Sequence, residues 1–183
     1  EPVTIRRLLA HTAGINRPDG GFPVAEGGQP TLVQVLAGEA PALNVPLAIE
    51  AVPGSRHQYS NFDYLVLQQL LADVEGKPFP EIVAERVFAP LGMTVSTFTP
   101  AADAARIRHH GPAGEPLDYS QRQHAALAQG WLFTTPSELG RLAIGIMASA
   151  QQRPDAPAMA PAVREALQPE WAFAPDALFG FAA

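Results

Sequence analysis

The run Pro53-Gly54-Ser55-Arg56-His57-Gln58-Tyr59-Ser60-Asn61 contains a turn, a short spacer, and then a tyrosine and an asparagine two positions apart. Pro-Gly pairs punctuate a chain into turns. The segment that follows carries the strongest helical period in the sequence. Leu67, Leu70, Leu71 and Val74 recur at helical spacing across residues 62–75, and Tyr64, Leu65 and Val66 add apolar groups on other faces. This predicts a helix buried on most sides, ended by Gly76 and Pro78. Tyr59 and Asn61 then lie in the loop just before the helix, held away from the core as a donor and acceptor pair. A tyrosine hydroxyl relays a proton when nearby cations lower its pKa from about 10. An asparagine amide both donates to and accepts from a substrate amide. The plainer alternative is a surface loop whose Asn or Ser side chain caps the helix.

Outward from this point, nineteen prolines break the chain into short helices and loops. Thr4 is placed to cap a helix over residues 5–11, with Ile5, Leu8 and Leu9 on one face and Gly14 beyond its end. Thr31 and Gln34 have capping-box spacing, with Leu32, Val35 and Leu36 as the apolar face and Gly38 as the stop. Residues 41–53 read as extended. A helix beginning near Pro80 and ending before Pro90 buries Ile82, Val83, Val87 and Phe88. Residues 101–120 are polar, with Gly111-Pro112 and Gly114, and read as an exposed loop. Thr135-Pro136-Ser137-Glu138 is a strong helix start, with a cap, a first-turn proline and a glutamate at the reciprocal capping position; that helix runs to about Ser149. Residues 151–161 are linker-like, a short helix follows over 162–167, and the tail from Ala177 could begin a strand. The chain therefore reads as mainly α, one helical domain over residues 1–183, with no strand ladder of its own.

With 183 residues and 47% hydrophobic content the chain can bury a core, but its 16% charged residues fall below the roughly 25% of typical soluble domains. Part of its surface is expected to be covered by something else. The net charge of −6 is scattered, and no basic stripe exists to bind nucleic acid. The sequence has no cysteine, which excludes disulfides, thiol nucleophiles and thiolate metal sites. No apolar run reaches the roughly 18 residues of a membrane span. The first residues, Glu1-Pro2-Val3-Thr4-Ile5-Arg6-Arg7, do not form a signal peptide. They read as the interior of a domain, so the chain is expected to be a piece of something longer, truncated at both ends.

Several segments, in order, resemble the class C β-lactamase and penicillin-binding-protein-like serine hydrolases. Pro53-Gly54, the spacer and Tyr59-Ser60-Asn61 resemble that family's second motif. Val3-Thr4-Ile5-Arg6-Arg7-Leu8-Leu9-Ala10-His11-Thr12-Ala13-Gly14-Ile15 is similar to its "TIRHLLTHTSGL" stretch. Phe88-Ala89-Pro90-Leu91-Gly92-Met93 resembles its "PLGM" element, with Thr97-Phe98 following. Gly130-Trp131-Leu132-Phe133-Thr134-Thr135-Pro136-Ser137-Glu138-Leu139 looks like its "GGLFSTAEDL" helix start, and Phe179-Gly180-Phe181 resembles the opening of "YGLGW". The resemblance implies the helical region of an α/β β-lactamase/transpeptidase-like fold. It implies Tyr59 and Asn61 as catalytic residues, and a small-molecule or peptide substrate for the parent. Three positions depart from the pattern. Ala13 stands where Ser is usual, His57 where an aromatic is common, and Trp131 where a second glycine is usual. The Trp131 ring is expected to narrow a substrate cleft, which makes it the candidate substrate-binding residue.

The family's nucleophile motif, Ser-x-x-Lys, places an amine one helical turn from the hydroxyl it deprotonates. The single lysine here is Lys77, and the residue three before it is Val74, so this chain contains no nucleophile motif. Lys77 is followed by Pro78 and does not form Lys-Thr-Gly. His109-His110-Gly111 fits His-x-Gly only formally, within a polar loop. No Gly-x-Ser-x-Gly occurs. The five histidines lack a His-Glu-x-x-His pattern, so neither metal nor cofactor is expected. Trp171 reads as core or interface. Two readings stay open. The chain is a fragment of a serine hydrolase, inactive alone, whose parent acts by an acyl-enzyme and, by family resemblance, is periplasmic or secreted. Alternatively it is a non-catalytic homologue kept as a binding module. A fold cut at both ends exposes core surface, so a homo-oligomer or domain swap is expected.

Overall fold

The structure is a computed structural model that describes residues 1–18, 21–99, 109–117, 125–157, 160–172 and 180–182. It is helix-rich with few strands. In order, α1 spans Ile5–Leu9, α2 Leu32–Ala37, α3 Asn61–Glu75 and α4 Phe79–Val83. α4 continues as a π-helical turn, Ala84–Phe88, and a 3-10 turn, Ala89–Leu91. Strands β1 (His109–His110) and β2 (Pro116–Leu117) precede α5, Pro136–Ala150. Then come α6 (Ala160–Ala166), β3 (Pro169–Ala172) and β4 (Gly180–Ala182). β1 pairs antiparallel with β2, and β3 with β4, the latter placing Trp171 opposite Phe181. Phe179, also part of the family-like tail, lies outside the described residues.

Local rules explain the helix ends. Thr4 accepts from the Arg7 amide, and Thr31 with Gln34 forms the full reciprocal capping box. The first helix is shorter than its apolar pattern implies. It stops at Leu9 because His11 takes a left-handed backbone with φ 55°, a conformation uncommon for a residue with a Cβ. Gly14 follows at φ 75°, and a Cβ there would meet the Ala51 carbonyl oxygen at 2.3 Å. Only glycine fits this crossing, where the Ile15–Ile49 bridge forms.

The main core joins α1, α2 and α3 with the segment between α1 and α2. Leu8, Ala13, Ile15, Phe22, Val35, Ala42, Phe62, Leu65 and Ala126 are all buried together, and the Phe22 and Phe62 rings meet edge to face at 5.2 Å. α3 is not buried on most sides, as its apolar period implies. Its inward stripe is Phe62, Asp63, Leu65 and Gln68, while Leu70, Leu71 and Val74 are exposed, Val74 at 74%. The stripe begins at the capped end, where Phe62 enters the core. Two of its inward positions are polar because each satisfies backbone or side-chain groups from elsewhere. A second cluster joins α4, its π and 3-10 extensions, and α5. Phe98 packs against Phe79 and Phe88, and Gly145 of α5 lets Leu91 approach so closely that a Cβ would meet it at 2.7 Å. Gln68 ties the 125–128 segment to α3, donating to the Ala125 carbonyl at 2.7 Å and accepting from the Leu127 and Ala128 amides.

Candidate functional site

The site forms at the N-terminal end of α3. Ser60 is fully buried; its hydroxyl donates to the Asn16 carbonyl at 2.6 Å and accepts from the Phe62 amide at 3.2 Å. Its backbone is extended, with φ −144° and ψ 131°. Successive side chains on extended backbone point to opposite sides, so anchoring Ser60 inward turns Tyr59 outward. Tyr59 is 43% exposed, and its hydroxyl donates to Asn61 Oδ1 at 2.8 Å. Asn61 is not in the preceding loop but is the first residue of α3. The structure thus brings together the two residues that the sequence paired. The helix cap of the plainer reading is also present, supplied by Ser60 between them.

The loop before Tyr59 is stitched to the segment after α1. The Gly54 amide donates to the Thr12 carbonyl at 2.7 Å, the Gln58 amide to the His11 carbonyl at 2.8 Å, and the Gln58 side chain to the Ile15 carbonyl at 3.1 Å. This brings His11 under the site. Its Nδ1 lies 2.8 Å from Asp63 Oδ2, with both side chains buried. The His11 ring centroid is 4.5 Å from that of Tyr59, 5.3 Å from Tyr64 and 6.1 Å from His57. Asp63 Oδ1 is buried with no hydrogen-bond partner among the described residues.

Burial sets the electrostatics. It pushes the Asp63 carboxyl up, and the hydrogen bond and charge of His11 only partly oppose this. His57 is pushed down by burial and then by the charge of His11. Tyr64 is pushed up by burial, then by Asp63 and Tyr59. On the exposed side the Arg17 guanidinium carbon sits 5.8 Å from the Tyr59 ring centroid, a cation–π distance. Arg17 has no carboxylate partner among the described residues.

Trp131 comes from a different segment of the chain than the hydroxyl–amide pair. It follows the turn that Gln68 holds, its amide donates to the Leu127 carbonyl at 3.0 Å, and its indole packs 6.2 Å from Phe133. Gln68 is two helical turns beyond Asn61, about 10 Å along α3. Lys77 is engaged with Glu85 at 2.7 Å beyond the far end of α3. His109 and His110 form β1, which pairs with β2.

Sequence reasoning missed His11, Asp63 and Arg17 as site residues. The signal for Asp63 was a lone acid inside the apolar run, and for His11 its place in the family-like first segment. Among the described residues, no group of three or more His, Asp or Glu is placed to hold a metal, and no helix is long and apolar enough to cross a membrane.

The family model described as Beta-lactamase matches residues 1–181. The chain is 28% identical over 145 residues to the D-alanyl-D-alanine-carboxypeptidase/endopeptidase AmpH of Escherichia coli, an alignment covering 76% of this chain and 35% of that protein. Among solved structures it superposes on the octameric penicillin-binding protein homologue from Pyrococcus abyssi with a TM-score of 0.68 at 19% identity, covering 100% of this chain and 42% of that one. It superposes on the D-amino acid amidase from Ochrobactrum anthropi with a TM-score of 0.62 at 21% identity, covering 79% and 42%. The chain therefore spans roughly a third of the length of this curated relative, 35%.

Proposed function

The chain belongs to the Beta-lactamase family, and on that premise we propose that it is the helical region of a serine hydrolase acting through an acyl-enzyme. The observation that carries this is the Tyr59 hydroxyl held 2.8 Å from Asn61 Oδ1 on the exposed rim of a buried helix cap. The residue to be acylated is not in this chain, since no Ser-x-x-Lys occurs in it.

In the parent enzyme a serine oxygen attacks the substrate carbonyl carbon. Its proton passes to a nearby lysine and Tyr59, then on to the leaving nitrogen or oxygen. Asn61 Oδ1 is engaged by Tyr59, so its amide N–H groups are the part that donates to a substrate carbonyl. Water then cleaves the acyl-enzyme and restores the serine. Trp131, tethered to the same helix through Gln68, bounds the substrate cleft. The relatives whose names specify D-alanyl peptides and D-amino acid amides support an amide or lactam substrate with a D-configured residue.

Intact mass tests this. The full-length gene product and this chain are treated in parallel with a β-lactam and a fluorophosphonate. The full-length protein gains one adduct, its Tyr59→Phe variant gains it far more slowly, and the chain alone gains none. If the full-length protein is folded and gains no adduct, the hydrolase reading is lost and the binding-module reading takes its place.

A further inference from the structure

We propose that His11 and Asp63 are a positioning pair for Tyr59, holding its ring so that its hydroxyl stays on Asn61. This rests on the reading of Tyr59 as the proton-carrying group.

Tyr59 needs support from somewhere. It is exposed, precedes the extended Ser60, and has a rotatable ring whose hydroxyl donates to one side chain among the described residues, Asn61. Its ring meets His11 at 4.5 Å and Arg17 at 5.8 Å. Arg17 is exposed, whereas His11 is 4% exposed and enclosed by the core. The plane of the His11 ring is fixed by the 2.8 Å bond from Nδ1 to Asp63 Oδ2, between residues 52 apart in the chain. Tyr64 and His57 pack on the same imidazole and close off its other orientations.

Stability alone does not account for this arrangement. Asp63 occupies the inward stripe of α3 between Phe62 and Leu65, where an apolar side chain would pack without desolvating a carboxylate. One of its oxygens is buried without a hydrogen bond among the described residues, which disfavours the fold. Buried ion pairs are often no more stabilising than apolar replacements. His11 also takes φ 55°, and residues held in sparsely populated backbone conformations concentrate at functional sites. A desolvated acid, a strained histidine and an exposed tyrosine meet at one point, the base of the Tyr59–Asn61 pair. The upward displacement of the Asp63 carboxyl by burial agrees with an acid kept for its hydrogen bond.

The test uses the full-length gene product, with 13C-labelled tyrosine for NMR and acylation kinetics on a chromogenic lactam or ester. In Asp63→Leu the imidazole loses its anchor; kcat falls by about 100-fold, the scale of a misplaced catalytic group, with KM nearly unchanged. Asp63→Asn, which keeps a hydrogen-bonding group beside His11 Nδ1, recovers most of that loss. His11→Gln keeps a donor for Asp63, and so keeps the fold, but removes the ring beside Tyr59. It shows the same kcat loss and a shifted, broadened Tyr59 ring resonance. Wild-type kcat with an unmoved Tyr59 resonance in His11→Gln overturns the proposal, whether or not Asp63→Leu folds. If Tyr59→Phe retains full kcat, the hydrolase role of Tyr59 fails, and the Tyr59 resonance in His11→Gln still decides whether the pair positions the ring.

Discussion

The Ser96 hydroxyl donates to Oε2 of Glu138 at 2.5 Å, joining the segment after the 3-10 turn to the first turn of α5. The other carboxylate oxygen accepts from the amides of Thr94 at 2.5 Å and Val95 at 3.0 Å. Glu138 is 3% exposed. It is a bracket between two segments more than forty residues apart, beside the Thr97–Phe133 bridge.

This bracket predicts an acid-sensitive fold. Burial raises the Glu138 carboxyl, but the hydrogen bonds from Ser96, Val95 and Thr94 outweigh it and hold the group below the ordinary carboxylate range. A group with a depressed folded pKa contributes stability above its unfolded value, about 4.3. That contribution is lost as pH falls through the lower folded value. Thermal midpoints followed from pH 7 to pH 3 are expected to drop below about pH 4 in the wild type. Glu138→Gln starts lower at pH 7 and falls less steeply. Equal slopes for the two would show that the bracket carries no such linkage.

The two faces of α3 separate in a stability measurement. Phe62 is fully buried against Phe22, so Phe62→Ala costs about 3–5 kcal/mol in urea unfolding. Val74, part of the expected apolar stripe, is 74% exposed, so at concentrations low enough to keep the chain monomeric Val74→Ser stays within about 0.5 kcal/mol. A large loss at Val74 would mean that its face is covered in solution.

That contrast marks what the sequence could reveal. Caps and stops depend on local chemistry, and Thr4, Thr31 and Ser60 act as N-caps while Gly38 and Gly76 end their helices in the left-handed conformation. The Tyr59–Asn61 pair was legible because its residues are neighbours. Partners far apart were not. Glu138 reads as the reciprocal half of a cap on Thr135, and only half of that box forms. Thr135 accepts from the Glu138 amide at 3.3 Å, while the carboxylate crosses to Thr94, Val95 and Ser96. Asp63 and Gln68 break the apolar period of α3, and their reasons, His11 and the 125–128 segment, lie on other parts of the chain. Periodicity finds a helix but does not say which face meets the core when polar groups occupy part of that face.

The exposed face of α3 bears on self-association. Leu70 and Leu71 are 37% and 40% exposed and lie beside Val74 at helical spacing. Exposed apolar patches of this kind mark contact surfaces. Light scattering of the isolated chain is expected to show association that rises with concentration. Leu70→Glu with Val74→Glu shifts it to monomer without altering helix content by circular dichroism. A monomer at every concentration in the unsubstituted chain overturns this expectation.

Arg17 supplies the last prediction, which concerns substrate choice. Its guanidinium is held over the Tyr59 ring and has no carboxylate partner among the described residues. A substrate whose acyl group is brought to Tyr59 and Asn61 places its far end beside that charge if it carries a carboxylate. A hydrogen bond to a charged group contributes about 1.5–3 kcal/mol; at an exposed site the lower end applies, about tenfold in affinity. Arg17→Ala in the full-length protein is therefore expected to raise KM about tenfold for peptides or lactams with a free carboxylate. It should leave KM for a neutral ester unchanged, with kcat altered for neither. Equal changes for the two substrate types would indicate that Arg17 supports the Tyr59 ring rather than the substrate. No change for either would remove it from the site.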